Sequence, residues 1–192
     1  MSTQEAPARG AHIANPAPLG LAGFALTTFV LSCFNAGWLD GGGEGIVLGL
    51  ALGYGGLAQL LAGMWEFTKG NVFGATAFSS YGAFWISFWW FVEHDAAGLP
   101  AGSGAVAVYL LAWGIFTAYM TIGALKVSTP VAVVFVLLTI TFLLLSWADF
   151  GSGSTTIKHI GGYFGLATAL AAWYASLAGV TAFTHGKSVV PS

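Results

Sequence analysis

The run VAVVFVLLTITFLLL, Val131 to Leu145, contains only two polar side chains, Thr139 and Thr141. A transmembrane β-strand alternates apolar and polar side chains with a period of two, and this run does not alternate. It reads as a helix that can lie in hydrocarbon. Extended to Trp147, it approaches the length of about 20 mainly apolar residues that crosses a core about 30 Å thick.

Working outward, five more segments meet the same requirement: Pro18 to Gly37, Gly45 to Phe67, Phe73 to Val92, Ala105 to Leu125 and Gly161 to Phe183. The breaks between the six hold glycine, proline, serine and nearly all of the charges, as loops outside the lipid core must. The expected fold class is an all-α membrane protein, a bundle of six transmembrane helices. Its expected organisation is a tail over residues 1–14, a transmembrane domain over 15–185 and a short tail over 186–192.

Composition excludes several other classes. Of 192 residues, 57% are hydrophobic and 6% charged, far from the roughly quarter-charged make-up of a soluble domain. The formal net charge of −2 comes with no basic cluster, so nucleic acid is not an expected partner. Cys33 is the single cysteine, which excludes an intrachain disulfide or a CxxC site. His12, His94, His159 and His185 lie in loops or near segment ends at spacings that form no metal set, and neither metal nor cofactor is expected. The first 15 residues lack the apolar stretch of a signal peptide, so the first span is expected to act as its own insertion signal.

If the spans alternate, Arg9, Lys69, Lys126 and Lys187 fall on one side and only Lys158 on the other. The positive-inside rule then makes both termini cytoplasmic, as in a multi-pass protein of the cell (plasma or inner) membrane. Asp40, Glu44, Glu93, Asp95 and Asp149 gather opposite.

In the second span Gly45, Gly49, Gly53, Gly56 and Gly63 project within about 80° of one another on an ideal helix. Such a seam lets backbones approach closely in lipid. Gln59 and Glu66 sit at its edge, where an unpaired carboxylate in hydrocarbon costs roughly 2.5 to 3.5 kcal/mol or more. They are expected to face protein or water, with Glu66 paired to Lys69 as the plain structural role.

Polar groups also recur along helix faces. Phe24, Thr28 and Asn35, with Ser32 beside them, give the first span a face suited to a narrow polar lumen. In the third span an aromatic stripe of Phe78, Tyr81, Trp85 and Phe88 adjoins a polar one of Thr76, Ser80 and Ser87. Trp113, Thr117 and Thr121 repeat the pattern in the fourth. No lysine or arginine stands mid-span, so a carboxylate inside would meet hydroxyls, amides and helix N-termini. It would cross as the neutral acid, with an accompanying proton, or held briefly by weak donors.

The segment Asn15-Pro16-Ala17-Pro18-Leu19-Gly20-Leu21 is a helix start on physical grounds, because asparagine caps well and proline is tolerated in the first turn. It also resembles the NPAPLGL signature of the acetate uptake transporter (succinate–acetate permease) family. The resemblance continues through Tyr54-Gly55-Gly56, Ala58-Gln59, Lys69-Gly70-Asn71, Phe73-Gly74, Thr76-Ala77-Phe78, Ser80-Tyr81-Gly82, Phe84-Trp85, Trp113-Gly114 and Phe116-Thr117, weakening after Val127.

That resemblance implies six-helix protomers, each with its own central pore, assembled as a homo-oligomer that is a hexamer in the family. It implies passage of acetate, and in some members succinate or other short acids. Matched onto this sequence, the family's apolar constriction falls on Phe24, Tyr81 and Leu138, and the Tyr81 hydroxyl would receive the carboxylate. Further candidates for the pore or for substrate binding are Asn15, Pro16, Leu21, Thr28, Gln59, Glu66, Asn71, Thr76, Ser80, Trp85 and Thr117.

Two rival readings follow from the same residues. A urea, ammonia or amide channel would use a similar aromatic pore. An intramembrane enzyme would have to rest on Gly151-Ser152-Gly153-Ser154 with His159, a stretch that reads as a flexible turn with no oriented base or oxyanion hole. No enzymatic role is expected.

Overall fold

The computed structural model describes residues 13–100, 104–150 and 153–191; Arg9, His12, Gly151 and Ser152 lie outside them. Helix α1 spans Ala17–Asn35. Its start follows the sequence, with Asn15 Oδ1 accepting the Ala17 N–H at 3.1 Å. The second span is composite: α2 (Gly45–Leu52), a wide π turn (Gly53–Ala58) and α3 (Gln59–Lys69). The remaining helices are α4 (Val72–Trp90), α5 (Ala105–Ala124), α6 (Thr129–Asp149) and α7 (Thr155–His185).

Among the described residues, five helical stretches are long and apolar enough to cross a membrane: Ala17–Asn35, Gly41–Lys69, Ala105–Ala124, Thr129–Asp149 and Thr155–His185. The third expected span, α4, has 19 residues but is not among the five. Thr76, Ser79, Ser80, Tyr81 and Ser87 dilute its hydropathy. Tyr81, Phe84 and Trp85 of this helix are 3%, 5% and 2% exposed, so these aromatic side chains face protein rather than lipid.

Consecutive helices are neighbours, and α7 returns to pack against α1, so the spans form a closed ring. Hydroxyl bonds tie the ring together in place of the hydrophobic drive that lipid removes. Ser146 Oγ donates to the Ala107 carbonyl at 2.7 Å, and Ser176 Oγ donates to the Pro18 carbonyl at 2.7 Å. The α1–α7 closure is tight enough that a Cβ on Gly162 would run into the backbone of Asn35 and Ala36.

Two expectations change. The five-glycine seam is divided: around Gly45, Gly49 and Gly53 there is open space, whereas Gly56 and Gly63 are buried against neighbours. The π turn, which holds both Gly53 and Gly56, is the cause, because its extra residue rotates the following helix by about 100°. Gln59, Ala62, Gly63 and Glu66 then share the buried face. Helix α7 also starts at Thr155 rather than Gly161, because Ser154 Oγ accepts the Ile157 N–H and begins the helix earlier.

Candidate functional site

Inside the ring lie two cavities. The larger, about 300 Å³, is lined by Thr28, Ser32 and Asn35 of α1, by Phe84, Trp85 and Phe88 of α4, and by Thr141 and Phe142 of α6 among others. Glu44, Asp149 and Lys158 stand among its lining residues too. The smaller, about 70 Å³, is lined by Leu21, Gln59, Asn71, Phe78, Tyr81 and Phe135 among others. Phe24 and Leu138 line both. At 4% and 3% exposed they are well packed, and they stand between the two spaces.

Tyr81 stands across from this pair. Its ring centroid is 5.8 Å from that of Phe24 and 6.0 Å from that of Phe135, and Phe116 meets it edge-on at 5.5 Å. The three residues matched to the family constriction are therefore brought together. The hydroxyl, however, is occupied. Tyr81 Oη lies 2.9 Å from Thr117 Oγ1, and Thr117 Oγ1 donates its one hydrogen to the Trp113 carbonyl at 2.7 Å. Tyr81 must then be the donor to Thr117 and has no O–H left for a carboxylate. Thr117, 0% exposed, anchors that ring and lines neither cavity.

Other candidates divide by position. Leu21, Gln59 and Asn71 line the smaller cavity, Thr28 and Trp85 the larger. Thr76 and Ser80 are half-buried and line neither, so the aromatic stripe of α4, not the hydroxyl stripe, faces the interior. Asn15 and Pro16 begin α1 at the chain's entry to the bundle.

Glu66 does not take Lys69 as its hydrogen-bond partner. Its Oε2 accepts from Asn71 Nδ2 at 2.9 Å, while Lys69 Nζ donates to the Ile13 carbonyl at 3.2 Å. Asn71 Oδ1 in turn accepts the Gly74 N–H at 3.1 Å and caps α4. The short Gly70-Asn71 turn brings the amide to the carboxylate and leaves Lys69 directed at the chain's start. Among the described residues, Thr28 Oγ1, Gln59 Oε1, Glu66 Oε1, Ser79 Oγ and Trp85 Nε1 are buried atoms without a hydrogen-bond partner. Thr28 and Trp85 line the larger cavity and Gln59 the smaller, which is where buried polar groups await something besides protein.

Sequence reasoning missed Phe135, Thr141 and Phe142, which line the cavities from α6 beside Leu138. Phe135, Leu138 and Phe142 follow at i, i+3 and i+7, a helical stripe. It was hidden because α6 is apolar all round. Among the described residues no group of three or more His, Cys, Asp or Glu stands together as a metal site.

The family model described as GPR1/FUN34/yaaH family matches residues 1–191. Acetate permease A of Emericella nidulans is 44% identical, over 93% of this chain and 65% of its own length. Ammonia transport outward protein 2 of Saccharomyces cerevisiae is also 44% identical, over 91% of this chain and 64% of its own length. The chain thus spans just under two thirds of these two fungal relatives. The succinate-acetate/proton symporter SatP of Escherichia coli K12 is 40% identical, over 93% and 95%. A solved structure described as that of the bacterial acetate channel SatP superposes with a TM-score of 0.87 at 39% identity, covering 93% of this chain and 98% of that one.

Proposed function

This chain belongs to the GPR1/FUN34/yaaH family, and from that premise we propose that it passes acetate and related short carboxylates, succinate among them, across a membrane through the interior of one subunit. The observation that carries the reading is the pair of cavities with Phe24 and Leu138 between them, under the Tyr81 ring. An apolar pinch between two spaces strips water from what passes and favours small species of low or shielded charge. On the wider side, Trp85 Nε1 and Thr28 Oγ1 are free donors for a carboxylate oxygen. The name of the fungal acetate relative and the fold shared with an acetate channel support the substrate class.

The subunit is proposed to assemble as a homo-oligomer, a hexamer, in the cell membrane with both termini cytoplasmic. No catalytic step, metal or cofactor enters the proposal. A second reading, passage of ammonia, rests on the name of the yeast relative. Protein-mediated flux of labelled acetate, succinate, ammonia and urea into liposomes separates the two. Acetate entry above that of protein-free liposomes is expected, and entry of ammonia without acetate would replace the first reading by the second.

A further inference from the structure

The smaller cavity has an unusual polar inventory. Its lining contains three side chains able to hydrogen-bond, Gln59, Asn71 and Tyr81. Two are already engaged: Tyr81 donates to Thr117, and Asn71 accepts from Gly74 while donating to Glu66. Gln59 is 1% exposed, and its buried Oε1 has no hydrogen-bond partner among the described residues. The π turn directly before it sets this face inward.

A primary amide offers a carbonyl that accepts and an N–H that donates, side by side. The ligand complementary to that pair carries one donor and one acceptor at the same spacing. A carboxylic acid in its protonated form has both: its O–H meets Oε1 while its carbonyl oxygen accepts from Nε2. The ionised form has acceptors only and would set an anionic oxygen against Oε1. An unmatched buried acceptor is among the costlier defects in a low-dielectric site. A 70 Å³ space is several times what one water needs, enough for a molecule of a few heavy atoms.

We propose that Gln59 is a binding residue for the neutral, protonated form of a short carboxylic acid, held by paired hydrogen bonds in the smaller cavity next to Phe24 and Leu138. This rests on the transport reading above and specifies the chemical form that reaches the pinch. The charged and titratable groups nearby do not offer an ionic alternative. From α1 and α6 the cavity receives only apolar side chains. From α4 it receives Tyr81, whose proton is committed to Thr117. On α3, Glu66 is held by Asn71 and Lys69 by the Ile13 carbonyl.

The test is initial-rate uptake of labelled acetate into proteoliposomes, corrected for protein-free liposomes, at fixed total acetate from about pH 5.5 to about pH 7.5. Wild-type flux is expected to follow the acid fraction, falling roughly tenfold per pH unit. Gln59→Leu is expected to lower flux at the acid end by about tenfold or more. Gln59→Glu, of the same length, offers the donor and acceptor only when protonated; it is expected to carry acetate at the acid end and to lose flux more steeply than wild type towards neutrality. If the leucine variant does not assemble, the glutamate variant decides alone. Wild-type rates in either variant at both ends of the range, or a flat wild-type profile, would overturn the role of Gln59. A wild-type protein that carries no acetate at any pH would overturn the transport reading with it.

Discussion

The Tyr81 hydroxyl donates its hydrogen in a 2.9 Å bond to Thr117 Oγ1, between α4 and α5. Because Thr117 spends its own on the Trp113 carbonyl, the phenol group locks the ring in place and is not a free donor inside the pinch. Tyr81→Phe should then leave acetate flux within about twofold and remove roughly 0.5 to 1.5 kcal/mol of stability, the net worth of one hydrogen bond. Thr117→Val strands the buried Tyr81 O–H and should cost more, about 1 to 3 kcal/mol. Denaturant titration of the solubilised protein alongside liposome flux checks both. A tenfold loss of flux in Tyr81→Phe would return the hydroxyl to the substrate.

Phe24 lines both cavities, and in the proposed path it sets the width between them. Phe24→Ala removes most of a ring and should raise the ratio of succinate to acetate flux, at a stability cost of up to about 3 to 5 kcal/mol for a large-to-small change in a packed site. An unchanged ratio in a protein of unchanged helical content would count against the assignment.

Much of this was legible in the sequence, and the parts that were not have physical causes. Runs such as Val131 to Leu145 announce a spanning helix by length alone, and Asn15 stands where a helix begins. The glycine seam was misread because an ideal 100° step assumes no π turn, and Tyr54-Gly55-Gly56 looks helical until α1 is packed on it. A Cβ on Gly23 would stand 2.6 Å from the Tyr54 carbonyl oxygen, a contact between distant residues. The partner of Glu66 was likewise a question of turn geometry, since Lys69 and Asn71 are both near in sequence. Phe135 and Phe142 left no pattern on a helix with no polar face to contrast them.

The Glu66–Asn71 bond gives a thermodynamic prediction. A double-mutant cycle with Glu66→Gln and Asn71→Ala should show a coupling energy of about 0.5 to 3 kcal/mol, as residues in one hydrogen-bond network do. The corresponding cycle of Glu66→Gln with Lys69→Met should give about 0.5 kcal/mol or less. The reverse order would restore the ion pair that the sequence suggested.

Trp85 offers a different signature. Its buried Nε1 has no partner among the described residues, so Trp85→Phe removes an unmet donor and should cost less stability than losing the larger ring alone implies. Acetate flux should fall by several fold, because the larger cavity loses a donor that a carboxylate could use. Flux equal to wild type would remove Trp85 from the path.

The central claim is that solute passes through the subunit where Phe24 and Leu138 separate the two cavities. Leu138→Trp adds bulk at that one place, and acetate flux into proteoliposomes measures it directly. The account predicts a loss of about tenfold or more in a variant that keeps the wild-type helical content and oligomeric state. Wild-type flux through such a protein would contradict it.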